Sequence, residues 1–261
     1  MMPAASNCAL ELRDVSVRFG GVAALTDVSL KITAEAGISA IIGPNGAGKT
    51  TLFNVLTGLV RPVAGRVLVA GREVTGRRSD EIFRSRVSRT FQGVRLFEHL
   101  AVHDNVRLAA RSACVAGGPG GRSVWFDRRK DADACMRRAL DDVELDIAVW
   151  SSLPERLTLL ERRQVEIARA LTADPIAMLL DEPAAGLNTA EKEWLSGLLR
   201  RVAQARGCRV VIVEHDMKLV MAMAERISVM NFGRLLCEGR PDEIRRNEAV
   251  IEAYLGTGGH V

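Results

Sequence analysis

Gly43, Gly48, Lys49 and Thr50 stand in the order G-x-x-x-x-G-K-T, between the apolar runs 38–42 and 52–56. Glycines in this pattern let backbone N–H groups turn toward phosphate oxygens. A lysine here reaches the β- and γ-phosphates, and the hydroxyl that follows offers an oxygen to Mg²⁺. Asn45, Gly46, Ala47 and Thr51 complete the cradle. A second apolar run, 176–180, ends in Asp181 and Glu182. Asp181 is suited to hold Mg²⁺ directly or through water, and Glu182 to polarise an attacking water. Two acids at a strand end also occur as a helix cap or a surface pair, but beside a phosphate loop the chemical reading is favoured.

Three further residues belong to this chemistry by position. His215 follows the apolar run 210–213 and is expected at the same sheet edge, near the γ-phosphate, because ligands sit at the carboxyl ends of parallel strands. Gln92 follows the stretch 87–91 and is placed to reach Mg²⁺ or the attacking water. Phe19, before Gly20 and Gly21, is the early aromatic available to stack on an adenine ring; a place in the core is its other reading.

These residues need elements to hold them. The start reads as strands and turns (9–19, 28–32, 38–42, 66–70), with Gly20 and Gly21 breaking the first run. Residues 101–157 read as helical, with a Gly/Pro-rich break at 117–121 and a charged helix over 127–143. From Glu161 onward helices and strands alternate: helices over 162–173, 190–206 and 217–225, and strands over 176–180 and 209–213. Short strands are expected at 227–230 and 234–238, with a last helix near 251–255. Strands joined by crossover helices imply an α/β fold with a sheet covered on both faces.

Composition bounds the rest. The 261 residues are 48% apolar and 26% charged, the balance of a folded chain with a substantial core. Aromatics make up 4%, so stacking platforms for single-stranded nucleic acid are scarce. The five cysteines form no C-x-x-C pair, which argues against a disulfide framework or a zinc site. No segment reads as a secretory signal or a spanning helix, so a protein neither secreted nor integral to a membrane is expected. The net charge of +4 is carried mostly by arginine and fits a solvated surface or an attraction to anions.

Together these segments resemble the ATP-binding subunits of ATP-binding cassette transporters, most closely those of branched-chain amino acid importers. The resemblance rests on Gly43–Asn54, on Arg89-Thr90-Phe91-Gln92 with Arg95-Leu96-Phe97, and on Glu182-Pro183-Ala184-Ala185-Gly186-Leu187-Asn188. Val213-Glu214-His215-Asp216-Met217 and Glu252-Ala253-Tyr254-Leu255-Gly256 extend it along nearly the whole chain. It implies a phosphate-loop NTPase fold: a RecA-like core, an N-terminal antiparallel β subdomain and an inserted helical subdomain. The divisions expected are 1–94, 95–172 and 173–261. The implied cofactors are ATP and Mg²⁺. The implied partners are a second cassette, identical or not, two transmembrane permease subunits and an extracytoplasmic solute-binding protein, with no direct nucleic acid. The chain would then sit on the cytoplasmic face of the inner membrane.

The resemblance also implies a division of labour among residues. Lys49, Gln92, Glu182 and His215 would act on the γ-phosphate, with Thr50, Gln92 and Asp181 at the metal. The segment from Gln92 to Phe97 would line the groove that receives a permease helix. Ala185, Gly186, Leu187 and Asn188 would form the D-loop, facing the opposite ATP site. Thr158, Leu159, Leu160 and Glu161 occupy the signature loop, where the family usually has serine and small residues, most often glycines. Leu160 adds about four carbons where close backbone approach is expected. Thr158-x-x-Glu161 also reads as a capping box that would serve its own helix. ATP-driven uptake of a branched-chain amino acid or similar small amide is the leading reading. A cassette of a lipid or lipopolysaccharide exporter and a catalytically degenerate ATP-binding subunit are the alternatives.

Overall fold

The computed structural model describes residues 8–115 and 128–255; the expected break at 117–121 lies outside them. Two sheets organise the chain. The first is antiparallel, built from β1 (Cys8–Phe19), β2 (Val22–Thr33), β4 (Ala64–Val69) and β5 (Arg72–Glu73) in the order β2-β1-β4-β5. The second contains β3 (Gly37–Ile42), β6 (Val87–Arg89), β7 (Ala177–Asp181), β8 (Arg209–Val213), β9 (Arg226–Asn231) and β10 (Arg234–Gly239). Its order is β10-β9-β3-β8-β7-β6, parallel throughout except for the β9–β10 hairpin.

Side chains alternate along each central strand and sort into two cores, as the two-residue period of a strand requires. Ile38, Ala40, Ile42, Met178, Leu180, Val210 and Ile212 enter one core, with α5 (Leu159–Leu171), α6 (Thr189–Arg206) and α7 (Met217–Met223). Ile41, Ala177, Leu179, Val211 and Val213 enter the other. That second core is shared with α1 (Lys49–Leu56) and the inner face of the antiparallel sheet. Both faces are covered as expected, one by helices and the other by a helix and a sheet.

Several features departed from the sequence reading: the short strands β5 and β6 were not expected, and residues 143–157, read as helical, hold only two short 3-10 turns at Ile147–Val149 and Pro154–Arg156. The second strand begins at Val22, not residue 28. It continues through Thr26 and Asp27, where Asp14 and Asp27 take positive φ at bulges and the Ser29 and Ser16 hydroxyls satisfy their backbone N–H groups. The helices α2 (Ser79–Arg84) and α8 (Pro241–Arg246) were not expected. Each has six residues and buries one apolar side chain, Ile82 or Ile244, which is too little for a helical period to show.

The helices α3 (Val102–Val115) and α4 (Arg128–Asp142) pack on each other, and α5 packs against both. The chain enters this unit through Phe97, held by Asn105 of α3. Asn105 is fully buried; its amide donates to the carbonyls of Phe97, Leu100 and Ala101 and accepts from Phe97 N–H at 2.8 Å. No helix among the described residues is long and apolar enough to cross a membrane. Because Asn105 is fully buried and bonds four backbone groups, of which the Phe97 and Ala101 carbonyls also accept backbone N–H bonds, Asn105→Ala is expected to lower unfolding stability by about 2 kcal/mol in urea titrations. A loss below about 0.5 kcal/mol would show that those backbone groups find other partners.

Candidate nucleotide site

The parallel register decides which residues can meet. Ile41 of β3 pairs with Val213 of β8, and Val213 pairs with Asp181 of β7. The loop 43–48, the acids Asp181 and Glu182, and His215 therefore leave the sheet at one edge, as the sequence implied.

Two glycines shape the loop. A Cβ on Gly43 would lie 2.1 Å from the Met230 carbonyl oxygen, and one on Gly48 would lie 2.8 Å from that of Ala24. Gly48 has φ +97° and is the N-cap of α1, with no side-chain hydrogen bond to the first turn. By contrast α5, α6 and α7 are capped by Thr158, Asn188 and Asp216. The first N–H groups of α1 thus lack a side-chain acceptor, the condition under which a helix start attracts an anion. Asn45, Gly46 and Thr50 are exposed there, and Thr51 is half-buried. Ala47 is buried, and its carbonyl accepts from Gly233 N–H.

Lys49 Nζ donates to the carbonyls of Gly43 at 2.7 Å and Pro44 at 2.9 Å. Desolvation pushes its ammonium below the usual range, against the charges of Glu182 and Asp181. Glu182 is the point of convergence. Its φ of +50° is costly for a side-chain-bearing residue, and such strain is a pointer to function. The carboxylate accepts from Gln92 Nε2 at 3.2 Å and lies 3.5 Å from His215 Nδ1. Gln92 therefore reaches the second acid; Asp181 is held by a different residue.

That residue is Arg89. Its Nη2 donates to Asp181 Oδ2 at 3.0 Å, and both side chains are buried. Burial raises the Asp181 carboxyl, and Arg89 opposes the rise. Sequence reasoning gave Arg89 no separate role, because arginine is rarely buried and nothing local announces its partner. Glu214 was missed for the same reason. It is buried, accepts from Ala184 N–H at 2.9 Å, and so anchors the turn after Glu182. Burial raises its carboxyl, with the Ala184 N–H drawing it back.

Phe19 is half exposed at the tip of the β1–β2 hairpin, opposite Val22. This is a surface position and not a core one. In the turn after Glu182, Ala184 and Leu187 are buried, Ala185 is half-buried and Gly186 is exposed with φ +82°. Asn188 caps α6 by accepting from Glu191 N–H at 3.0 Å.

The start of α5 has the capping box expected of Thr158 and Glu161. Thr158 Oγ1 accepts from Glu161 N–H and donates to Glu161 Oε2, which also accepts from Thr158 N–H. Leu160 is half-buried against the core. Leu159 is the more exposed of the two leucines, and its Cδ2 would lie 2.8 Å from a Cβ on Gly186. The start of α5 and the turn after Glu182 therefore approach each other through Leu159 and Gly186.

Beside β6 lies a groove of about 450 Å³, lined by Ser88, Arg89, Phe91, Arg95, Leu96, Phe97, Glu166 and Arg169 among others. Gln92 is not part of its wall. Arg95 stacks on Phe91 and Arg169 on Phe97, each with the guanidinium carbon 5.2 Å from the ring centre. Glu166 accepts from Arg95 N–H and from Arg163, each at 3.0 Å.

Comparison with known proteins agrees with this geometry. The family model described as ABC transporter matches residues 25–185, and the model described as Branched-chain amino acid ATP-binding cassette transporter matches 234–260. The high-affinity branched-chain amino acid transport ATP-binding proteins LivG of Salmonella typhimurium and BraF of Pseudomonas aeruginosa are each 39% identical over 251 residues. Those alignments cover 95% of this chain and 97% of each relative. Among solved structures, the ADP conformation of the cassette MJ1267 superposes with a TM-score of 0.83 at 26% identity, over 95% of this chain and 99% of that one. The dimeric post-hydrolysis state of the cassette MJ0796, bound to ADP and Pi, superposes with a TM-score of 0.72 at 27% identity, over 89% and 98%. The RecA-like cassette fold expected from the sequence is thus the fold observed, and the chain belongs to the ABC transporter family as one of its ATP-binding cassettes.

Proposed function

We propose that this chain is the ATP-hydrolysing subunit of an importer for branched-chain amino acids or related small amides. The observation that carries the catalytic part is the convergence of Gln92, Glu182 and His215 at the sheet edge that also bears Lys49. The likeness to LivG and BraF, with the matched tail at 234–260, supports the substrate class.

On this reading the loop 43–48 and the start of α1 receive the phosphates, and Phe19 offers a face to the adenine. Lys49 exchanges the carbonyls of Gly43 and Pro44 for phosphate oxygens. Glu182 polarises the water that attacks the γ-phosphate in line, with Gln92 and His215 holding the carboxylate. Thr50, Gln92 and Asp181 are all oxygen donors, the set a hard cation prefers. Among the described residues no three His, Cys, Asp or Glu side chains are placed to cage a metal. Mg²⁺ carried by a nucleotide needs only one or two protein oxygens, since phosphates and water fill the rest. The ion would neutralise charge developing on the phosphoryl oxygens.

The partners are a second cassette, two permease subunits and, through them, a solute-binding protein, which would hold this chain at the cytoplasmic face of the membrane. The groove lined by Phe91 and Arg95 to Phe97 would receive a permease helix. The divisions 1–94, 95–172 and 173–261 would be its β-plus-core, helical and second core parts.

The start of α5 favours a second reading, in which the chain binds ATP and a different cassette supplies the better signature loop. The Thr158 hydroxyl is engaged within its own helix, and Leu159 and Leu160 stand where small residues are usual.

Glu182→Gln is expected to keep ATP binding and to lower turnover by about 10²-fold or more, measured as phosphate release. Retained turnover would remove Glu182 from the mechanism. Leu160→Gly is expected to raise turnover per nucleotide-binding site in the assembled transporter, although lost packing and helix propensity destabilise the chain by about 1–2 kcal/mol. An unchanged or lower rate would show that this side chain does not limit the opposite site.

A further inference from the structure

We propose that Arg89 is a positioning residue that sets Asp181 for magnesium and ties that carboxylate to the groove beside β6. This rests on the reading of Asp181 as the magnesium carboxylate. Arg89 closes β6, in register with Leu179, two residues before Asp181. Its guanidinium is held through both terminal nitrogens, while Nε is buried without a hydrogen-bond partner. Nη2 donates to Asp181 Oδ2 at 3.0 Å, and Nη1 donates to Asn54 Oδ1 at 2.6 Å and Thr57 Oγ1 at 3.3 Å. The rings of Phe53 and Phe91 lie 5.5 and 5.2 Å from its central carbon.

The two charged side chains are 6% and 4% exposed, so neither is neutralised by water. A lone carboxylate at that depth would be unfavourable by several kcal/mol. The bond to Arg89 takes Oδ2, and Oδ1 is the oxygen that a metal or its water would meet. A ligating carboxylate oriented by a second hydrogen-bonded group is a common arrangement around metals. Asn54 lies on α1, the helix that begins at Lys49, so one guanidinium joins the phosphate-loop helix to the strand that ends in Asp181.

The same side chain faces outward as well. Arg89 and Phe91 both line the groove, and Phe91 is 38% exposed there. An occupant pressing on the Phe91 ring would act on the guanidinium stacked against it, and Asp181 is the next contact. Groove and metal carboxylate are thus two contacts apart.

The test is an equilibrium titration on the purified full chain with a methylanthraniloyl-labelled ATP. It reads the free Mg²⁺ needed for half-maximal tightening of nucleotide binding, and the affinity in EDTA. Arg89→Gln is expected to raise the Mg²⁺ requirement about tenfold or more while affinity in EDTA stays within about twofold. Phe91→Ala leaves both charges in place and removes a partly exposed ring, so its folding is not at risk; it is expected to raise the requirement about threefold. Equal weakening in Mg²⁺ and EDTA for Arg89→Gln would mean a purely structural role and overturn the proposal. So would an unchanged Mg²⁺ requirement in Arg89→Gln when Asp181→Asn raises it. No shift in Phe91→Ala would overturn the tie to the groove. An unchanged requirement in Asp181→Asn would overturn the magnesium reading of that residue, and the inference with it.

Discussion

The parallel register of β3, β8 and β7 is the constraint on which the rest of the site depends. Because Ile41 and Asp181 both lie opposite Val213, three separate stretches of chain must leave the sheet at the same edge. One becomes the loop 43–48 that leads into Lys49, one turns at Glu182, and one passes through His215 into α7. A shift of one residue in β7 would exchange the side chains of Ala177 to Leu180 between the two cores. The alternation of apolar side chains across the sheet is therefore what fixes the chemistry at its edge.

Helix starts divide the work at that edge. Four helices begin near it, and three of them use a side chain to satisfy their own first turn: Thr158, Asn188 and Asp216. Only α1 of the four begins on a glycine with no side-chain cap, at the end of the loop that carries Lys49. The same physics that makes α1 receptive to phosphate makes α5 self-sufficient. The start of α5 therefore offers a passing anion less than the start of α1 does.

Much of the placement was legible in the sequence, for identifiable reasons. The loop 43–48, Asp181 with Glu182, and His215 each follow an apolar run that becomes a central strand, so local pattern gave their place at one sheet edge. The Thr158 capping box was equally local and is present. Contacts between distant segments left no such mark. The 92-residue separation of Arg89 from Asp181, and the 30-residue separation of Glu214 from Ala184, are closed only by the sheet. Gln92 was assigned to the metal or the water, and its observed bond is to Glu182. Leu160 was expected to add bulk where close backbone approach is usual; part of that bulk enters the core, and Leu159 is the one that lies beside Gly186.

In the account offered here, the phosphate-binding half of the site lies in this chain, and the helix start that closes over it belongs to a second cassette. Thr158 and Lys49 lie on different elements, and among the described residues no hydrogen bond or ion pair joins the start of α5 to the loop 43–48. Steady-state hydrolysis of Mg-ATP across a range of chain concentrations tests this most directly. A rate per chain that rises with concentration, and then levels as pairs form, is the predicted result. A rate per chain that does not change with concentration would place a complete site within one copy and contradict the account.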